Sequence, residues 1–376
     1  MPSLDAIWEN YICTGELSRE EIVHLLELED NGEQARLLNL ADRVRRENLG
    51  DEVHLRGIIE FSNYCVRDCL YCGIRRSNRK LVRYRMTPDE IVATAAQAVA
   101  MGFKTVVLQS GDDFYYTGPM IAEIIRAVKE MGVAVTVSAG ERPRTDYVQW
   151  REAGADRYLL KFETSDAALY NRLHPGTSLD RRLRYLRDLR ELGYQLGSGN
   201  MVGLPGQTPA TLADDILLMG SLQLEMAGIG PFLPHPATPL QGTDPGTMSM
   251  TLKVLAIARL LMPRAHLPAT TALGSVNVDG RRAGLLAGAN VLMLNLTPLE
   301  YRSLYEIYPA KAEIRTEPAR LKAEAEELIH SLGRQVSTGY GHGYLHEATN
   351  VNLSLATEKP PHWACLARGS GSEGRG

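Results

Sequence analysis

The sequence predicts an α/β protein, a (β/α)8 TIM-type barrel with an N-terminal helical extension, on three observations. After residue 50, short β-rich runs alternate with amphipathic helical stretches, the pattern of a parallel sheet wrapped by helices. Eight strand-helix units follow one another, and 376 residues suit a single barrel of this size. Before residue 50 the pattern is helical. The expected division is a helical extension over 1–50, a barrel over 51–340, and a C-terminal extension with a flexible tail over 341–376.

In the extension, Ser18 and Glu21 form a capping box, followed by Ile22, Leu25 and Leu26 at helical spacing. It is expected to pack across the bottom or side of the barrel. The first strand is 53–61. A helix then begins at Thr87, with Pro88 at its first position and Glu90 three residues after the cap. Strands two, three and four are 104–109, 133–138 and 157–162. Strands five and six are 195–201 and 226–230, separated by a helix from Thr208 to about Ser221, and strands seven and eight are 268–271 and 289–294. His342 and His346 have the spacing of a helical metal pair, but Gly343 between them argues against a stable helix.

The net charge of -4 gives no hint of nucleic-acid binding. Mostly apolar runs such as 254–262 are too short to cross a bilayer, and the first residues lack a signal peptide's basic and apolar regions. Only Cys13 and Cys365 lie outside the segment 61–73, so a disulfide framework is not expected and a reducing, cytoplasmic setting is.

That segment, FSNYCVRDCLYCG, carries Cys65, Cys69 and Cys72 in a C-x3-C-x2-C spacing. Iron-sulfur clusters normally take four protein thiolates, and structural zinc sites four ligands. Three thiolates on one loop suggest one [4Fe-4S] cluster with an open iron. A zinc knot completed by His54, or a plain electron-transfer cluster, is the blander reading. The spacing, with an aromatic just before the last cysteine, resembles the radical S-adenosylmethionine family, in which the methionyl amino and carboxylate groups of S-adenosylmethionine bind the fourth iron. Reduction there cleaves the sulfonium to a 5′-deoxyadenosyl radical.

The blocks 51–63 (DEVHLRGIIEFSN), 83–90 (RYRMTPDE), 107–112 (VLQSGD), 203–208 (GLPGQT) and 228–236 (GIGPFLPHP) narrow the resemblance. They look like the HydE maturases of [FeFe]-hydrogenases, over about residues 20–340. This resemblance implies a step in assembly of the diiron subcluster of the hydrogenase H-cluster, with an organometallic iron-carbonyl-cyanide-cysteine precursor as substrate. It also implies an electron donor such as a ferredoxin or flavodoxin and work beside the other hydrogenase maturases. Other radical enzymes on this barrel, similar to methylornithine synthase or biotin synthase, stay open, as does a non-catalytic cluster carrier. Biotin synthase is disfavoured because its auxiliary cluster needs further cysteines.

Against that family, Tyr71 would lie near the adenine, and Gln109, Ser110, Gly111 and Asp112 form the turn that receives the methionyl ammonium. Glu163 is placed to accept hydrogen bonds from ribose hydroxyls, with Ser138 as a further candidate. Arg182 would hold the cofactor carboxylate through its planar fork, although Arg181 and Arg184 are close rivals. Met201, Gly203 and Ile229 would sandwich the adenine or are plain core. For the substrate, the family match points to Lys161, Met226, Thr270, Thr271 and Tyr308 around an anion-holding cavity. Lys161 replaces the arginine of a relative, trading a bidentate fork for a point charge. Residues 308–323 contain no cysteine for the accessory cluster of some relatives.

Overall fold

The fold is that of a computed structural model describing residues 3–309 and 314–344. His346, Cys365 and the predicted tail lie outside the described residues. Three helices come first, α1 (Leu4–Thr14), α2 (Arg19–Leu26) and α3 (Asn31–Leu49). The Ser18–Glu21 capping box is present, and Ile22, Leu25 and Leu26 are fully buried.

Strands β1 (Glu52–Ser62), β2 (Thr105–Ser110), β3 (Ala134–Ser138), β4 (Arg157–Leu159) and β5 (Gln195–Ser198) pair in parallel in that order. The helices among them are α4 (Pro88–Ala100), α5 (Gly118–Glu130), α6 (Arg144–Glu152), α7 (Ala167–Leu173) and α8 (Leu179–Glu191). The start of α4 is as read from sequence, with Thr87 as cap, Pro88 following it and Glu90 reaching back.

Then come β6 (Met201–Val202), α9 (Pro209–Ser221), β7 (Met226–Ala227), β8 (Gly230–Pro231), α10 (Met248–Leu261), α11 (Thr271–Val276), α12 (Gly280–Leu286) and β9 (Val291–Asn295). The chain ends with α13 (Leu299–Arg302), α14 (Pro318–Ser331) and β10 (Gln335–Val336), which pairs with the start of β1.

The ring closes. β5 pairs with β7, Met226 bridges His266, Pro268 bridges Val291, and β9 pairs with β1. The predicted seventh strand is thus reduced to an extended stretch around 266–268. Following the register from Glu60 through Gln109, Gly197, Met226 and His266 and back onto β1 arrives at Glu52, a stagger of eight residues. Eight strands with this shear define the barrel geometry in which active sites sit at the C-terminal strand ends.

Three predicted strands are shorter than read. The fourth stops at Leu159, because Glu163 takes a left-handed φ of 65° and bridges Asn200 instead. The fifth breaks at Gly199, whose φ is 143° and where a Cβ would lie 2.2 Å from the Gly228 carbonyl oxygen. The sixth breaks at 228–229, and the displaced ends pair as a small sheet of β6 with β8.

The N-terminal helices pack on the side of the barrel against α9 and α10, not across its bottom. Tyr11 donates to the Leu260 carbonyl at 3.0 Å, and Lys253 reaches the carbonyls of Leu26 and Leu28. The bottom is closed by residues 340–343. Arg157 donates to the carbonyls of Tyr340 and Gly341 (2.7 Å each), Arg56 to Gly341 (3.2 Å), and the Gly343 N–H to Gln195 (2.8 Å). His342 sits in this plug on no regular helix, with its Nδ1 2.8 Å from Gln195 Nε2.

Candidate active site

β1 runs directly into the cysteine loop, and side chains pin the turn that follows. Asn63 donates to the carbonyls of Val82 and Leu304 (2.8 Å each), and Arg83 donates to those of Asn63, Ile74 (2.8 Å) and Arg75 (2.7 Å). Gly73 N–H bonds the Ile307 carbonyl at 3.0 Å. The loop is therefore fixed by the backbone it folds back on.

Cys65, Cys69 and Cys72 all face one cavity of about 390 Å³ at the C-terminal ends of the strands. Burial, then Asp112 and Cys72, push the Cys65 thiol up to about 12, and burial raises Cys69 as well. Three neighbouring thiols in such a setting resist ionisation unless a cationic centre takes up their charge. The N–H groups of Arg67 and Asp112 point at Cys65 Sγ, 3.4 Å each, the kind of bond that tunes cluster potential.

Among the described residues, no three His, Cys, Asp or Glu side chains form a group that could hold a metal ion. A zinc knot needs every ligand within about 2.3 Å of one ion, whereas a four-iron cluster takes one thiolate per iron. Three thiols on one loop, all lining one cavity, are the donor set that such a cluster would take. The zinc alternative fails also at His54, which lies near the other end of β1, eight residues before Ser62, with its ring 4.9 Å from that of His266. Eight residues of strand span roughly 26 Å.

The turn after β2 lies against the cysteine loop so closely that a Cβ on Gly111 would come within 2.2 Å of the Tyr64 carbonyl oxygen. Gln109, Ser110, Gly111 and Asp112 all line the cavity. One oxygen of the Asp112 carboxylate, Oδ2, accepts from Arg67 Nε at 2.7 Å and from the Glu141 N–H at 3.3 Å, whereas no side-chain bond among the described residues engages Oδ1.

Glu141, fully buried, ties three arginines together: Arg67 at 2.8 Å, Arg182 at 2.9 Å and Arg181 at 3.4 Å. Arg182 also donates to the Lys161 carbonyl, and its neighbours Tyr170 and Glu141 outweigh burial, so its guanidinium stays charged. Of Arg181, Arg182 and Arg184, Arg182 is the one on the cavity wall.

Glu163 reaches the cavity from a left-handed backbone position, which costs of order 1–3 kcal/mol in a non-glycine residue. Its Oε2 is buried without a hydrogen-bond donor, and Lys161 Nζ lies 3.1 Å away without hydrogen-bond geometry. A strained backbone that brings a carboxylate to the cavity wall suits a hydroxyl-bearing ligand.

Tyr71 offers its ring alone. Its hydroxyl is 2.8 Å from His174 Nε2, while His174 Nδ1 is 2.8 Å from the Tyr170 carbonyl. The carbonyl requires a proton on Nδ1, so Nε2 accepts from Tyr71. Burial lowers His174 to about 3 and keeps it neutral.

Ser138, Met201, Lys161, Met226, Thr270, Thr271 and Tyr308 line the same cavity, but Ile229 does not. Ile229 is 1% exposed and belongs to the core, because the break before β8 turns its neighbours Gly228 and Gly230 to the wall instead. Thr271 Oγ1 accepts from Arg281 at 3.3 Å, and Thr270 caps α11.

Sequence reasoning missed Glu60, whose carboxylate accepts from Asn295 at 2.8 Å on the wall at the end of β1. It also missed Glu141, His174 and Arg67. Arg67 sits inside the cysteine motif, where its charge was a usable signal. The others meet their partners only through the fold.

The sequence model of the radical SAM superfamily matches residues 59–219. The [FeFe] hydrogenase maturase subunit HydE of Thermotoga maritima is 49% identical over 326 residues, covering 87% of this chain and 94% of that protein. The 3-methylornithine synthase of Methanosarcina acetivorans is 32% identical over 292 residues, 77% of this chain and 82% of that one. The crystal structure of methylornithine synthase superposes with a TM-score of 0.77 at 27% identity, covering 88% and 97% of the two chains.

Proposed function

This chain belongs to the radical SAM superfamily, in the family of the HydE maturases, and on that premise we propose that it acts on an organometallic iron-carbonyl-cyanide-cysteine precursor during assembly of the [FeFe]-hydrogenase diiron subcluster. One observation carries the reading. The three-thiol loop and the Lys161–Glu163 ion pair, made without hydrogen-bond geometry, all open on a single cavity.

When bound, a [4Fe-4S] cluster and S-adenosylmethionine supply a low-potential electron and, from it, a 5′-deoxyadenosyl radical. Cys65, Cys69 and Cys72 are the residues that would hold the cluster. Glu163 would accept from ribose hydroxyls, Arg182 would face the cofactor carboxylate, and the turn 109–112 its ammonium. Lys161, beside Thr270 and Thr271, gives the substrate wall a cation and two hydroxyls, suited to an anionic ligand set. Met226 and the surrounding barrel exclude water, as an unselective primary radical requires. An electron donor such as a ferredoxin or flavodoxin, and the other hydrogenase maturases, are the partners this role calls for.

A second reading, a mutase like methylornithine synthase, is supported by the 32% relative and the TM-score of 0.77. The 49% identity to the maturase outweighs it. Anaerobically reconstituted protein, given dithionite and S-adenosylmethionine, is expected to release 5′-deoxyadenosine and methionine. Cell-free activation of an apo-hydrogenase is expected to depend on its addition. Activation that proceeds equally without it, together with formation of 3-methylornithine, would favour the mutase.

A further inference from the structure

The segment that encloses the cysteines is out of balance with the rest of the chain. Between residues 64 and 86 stand Arg67, Arg75, Arg76, Arg79, Lys80, Arg83 and Arg85 against one acid, Asp68, in a protein whose net charge is -4.

Four of these cations are engaged inside the fold. Arg67 pairs with Asp112 and Glu141, Arg75 with Asp68 and Arg85 with Asp113, while Arg83 clips the loop through backbone carbonyls. Arg76, Arg79 and Lys80 are exposed, and no acidic group among the described residues forms an ion pair with any of them. Their charge faces outward.

The same surface is apolar at its centre. Val66 is 45% exposed, Val82 64%, Phe114 48% and Tyr115 57%, half of the large exposed hydrophobic side chains among the described residues. Backbone and side-chain contacts tie them together. Val66 N–H bonds the Asp112 carbonyl at 3.0 Å, Arg76 N–H bonds the Arg67 carbonyl at 2.8 Å, and Asn63 bonds the Val82 carbonyl at 2.8 Å. The Arg85 guanidinium lies between the rings of Tyr64 (3.7 Å) and Tyr115 (4.5 Å). Val66 directly follows the cluster ligand Cys65, so anything seated here is one residue from the cluster.

We propose that this surface is the docking site of an acidic one-electron carrier protein, which delivers its electron to the cluster through the outer side of the cysteine loop. The proposal rests on the radical SAM reading, since that reading is what calls for an electron. Exposed apolar patches of this kind mark contact sites, redox encounters use small and transient interfaces, and a cationic rim steers an acidic partner and fixes its orientation.

The test compares two reductants on the full-length reconstituted protein carrying Arg76→Glu, Arg79→Glu and Lys80→Glu together, with Val82→Asp as a second variant. With dithionite, S-adenosylmethionine cleavage should proceed at the parent rate in both. With reduced flavodoxin, the KM for flavodoxin should rise about tenfold or more in the triple variant, and the salt dependence seen in the parent should flatten. Val82→Asp should raise that KM and flatten the salt dependence less than the triple charge reversal does. Parent-like flavodoxin kinetics in both variants would overturn the docking site. A parallel loss with dithionite would overturn it too, because the cations would then serve the loop's own fold. If the parent cleaves nothing with dithionite, the radical SAM reading itself has failed and takes this proposal with it.

Discussion

At the floor of the barrel Arg56, Arg157 and His266 surround a cavity of about 10 Å³, whereas at the mouth Lys161, Glu163, Arg182 and three thiols surround one of about 390 Å³. The residue types are alike. The floor cations donate to the chain's own carbonyls at 340 and 341, with only Arg56 Nε of the two guanidiniums left without a partner among the described residues, and burial drives Arg157 down to about 10. At the mouth, Glu163 keeps an acceptor with no donor and a strained backbone. Met226 lines both cavities and divides them, with its sulfur 2.8 Å from Arg56. Charge of a given type therefore says little by itself. The strand end that carries it decides whether it seals the fold or waits for a ligand.

The contrast breaks if the floor proves to be a ligand site. Arg157→Met removes a donor to the carbonyls of Tyr340 and Gly341 and to Gln195, each of which keeps a second donor in Thr105, Arg56 and the Gly343 N–H, so each lost bond costs about 0.5–1.5 kcal/mol. Denaturant unfolding should show a loss of roughly 3 kcal/mol, with the KM for S-adenosylmethionine unchanged. A large KM effect at retained stability would place a ligand at the floor.

Glu163→Gln sharpens the other side of the comparison. The amide keeps the shape and loses the charge-assisted acceptor, so the KM for S-adenosylmethionine should rise about tenfold, about 1.4 kcal/mol. Thermal stability should change by no more than about 1 kcal/mol, since the carboxylate's partner in the protein is the part-exposed Lys161 ammonium, paired at 3.1 Å without hydrogen-bond geometry. A destabilised variant with unchanged KM would make Glu163 a structural residue.

The legible part of the molecule is the part written in local signals. The capping boxes at Ser18 and Thr87, the β-rich run of β1 and the cysteine spacing all read directly. Strands four to six were overextended, because apolar residues such as Phe162 continue the pattern past points where the backbone turns at Glu163 and Gly199. Glu141 was invisible for a different reason. Its partners Arg67 and Arg182 stand 74 and 41 residues away, and no local period marks a meeting that the barrel alone creates. Ile229 shows the converse, an apolar residue in a telling motif that the β7–β8 break sends into the core.

The measurement that bears most directly on the account is the EPR spectrum of the dithionite-reduced, anaerobically reconstituted protein before and after S-adenosylmethionine is added. Three protein thiolates leave one iron open, so the signal of the single reduced cluster should shift when the cofactor's amino and carboxylate groups reach that iron. A spectrum that ignores the cofactor would mean that the protein itself completes the cluster's coordination, and the mouth of the barrel would lose its chemistry.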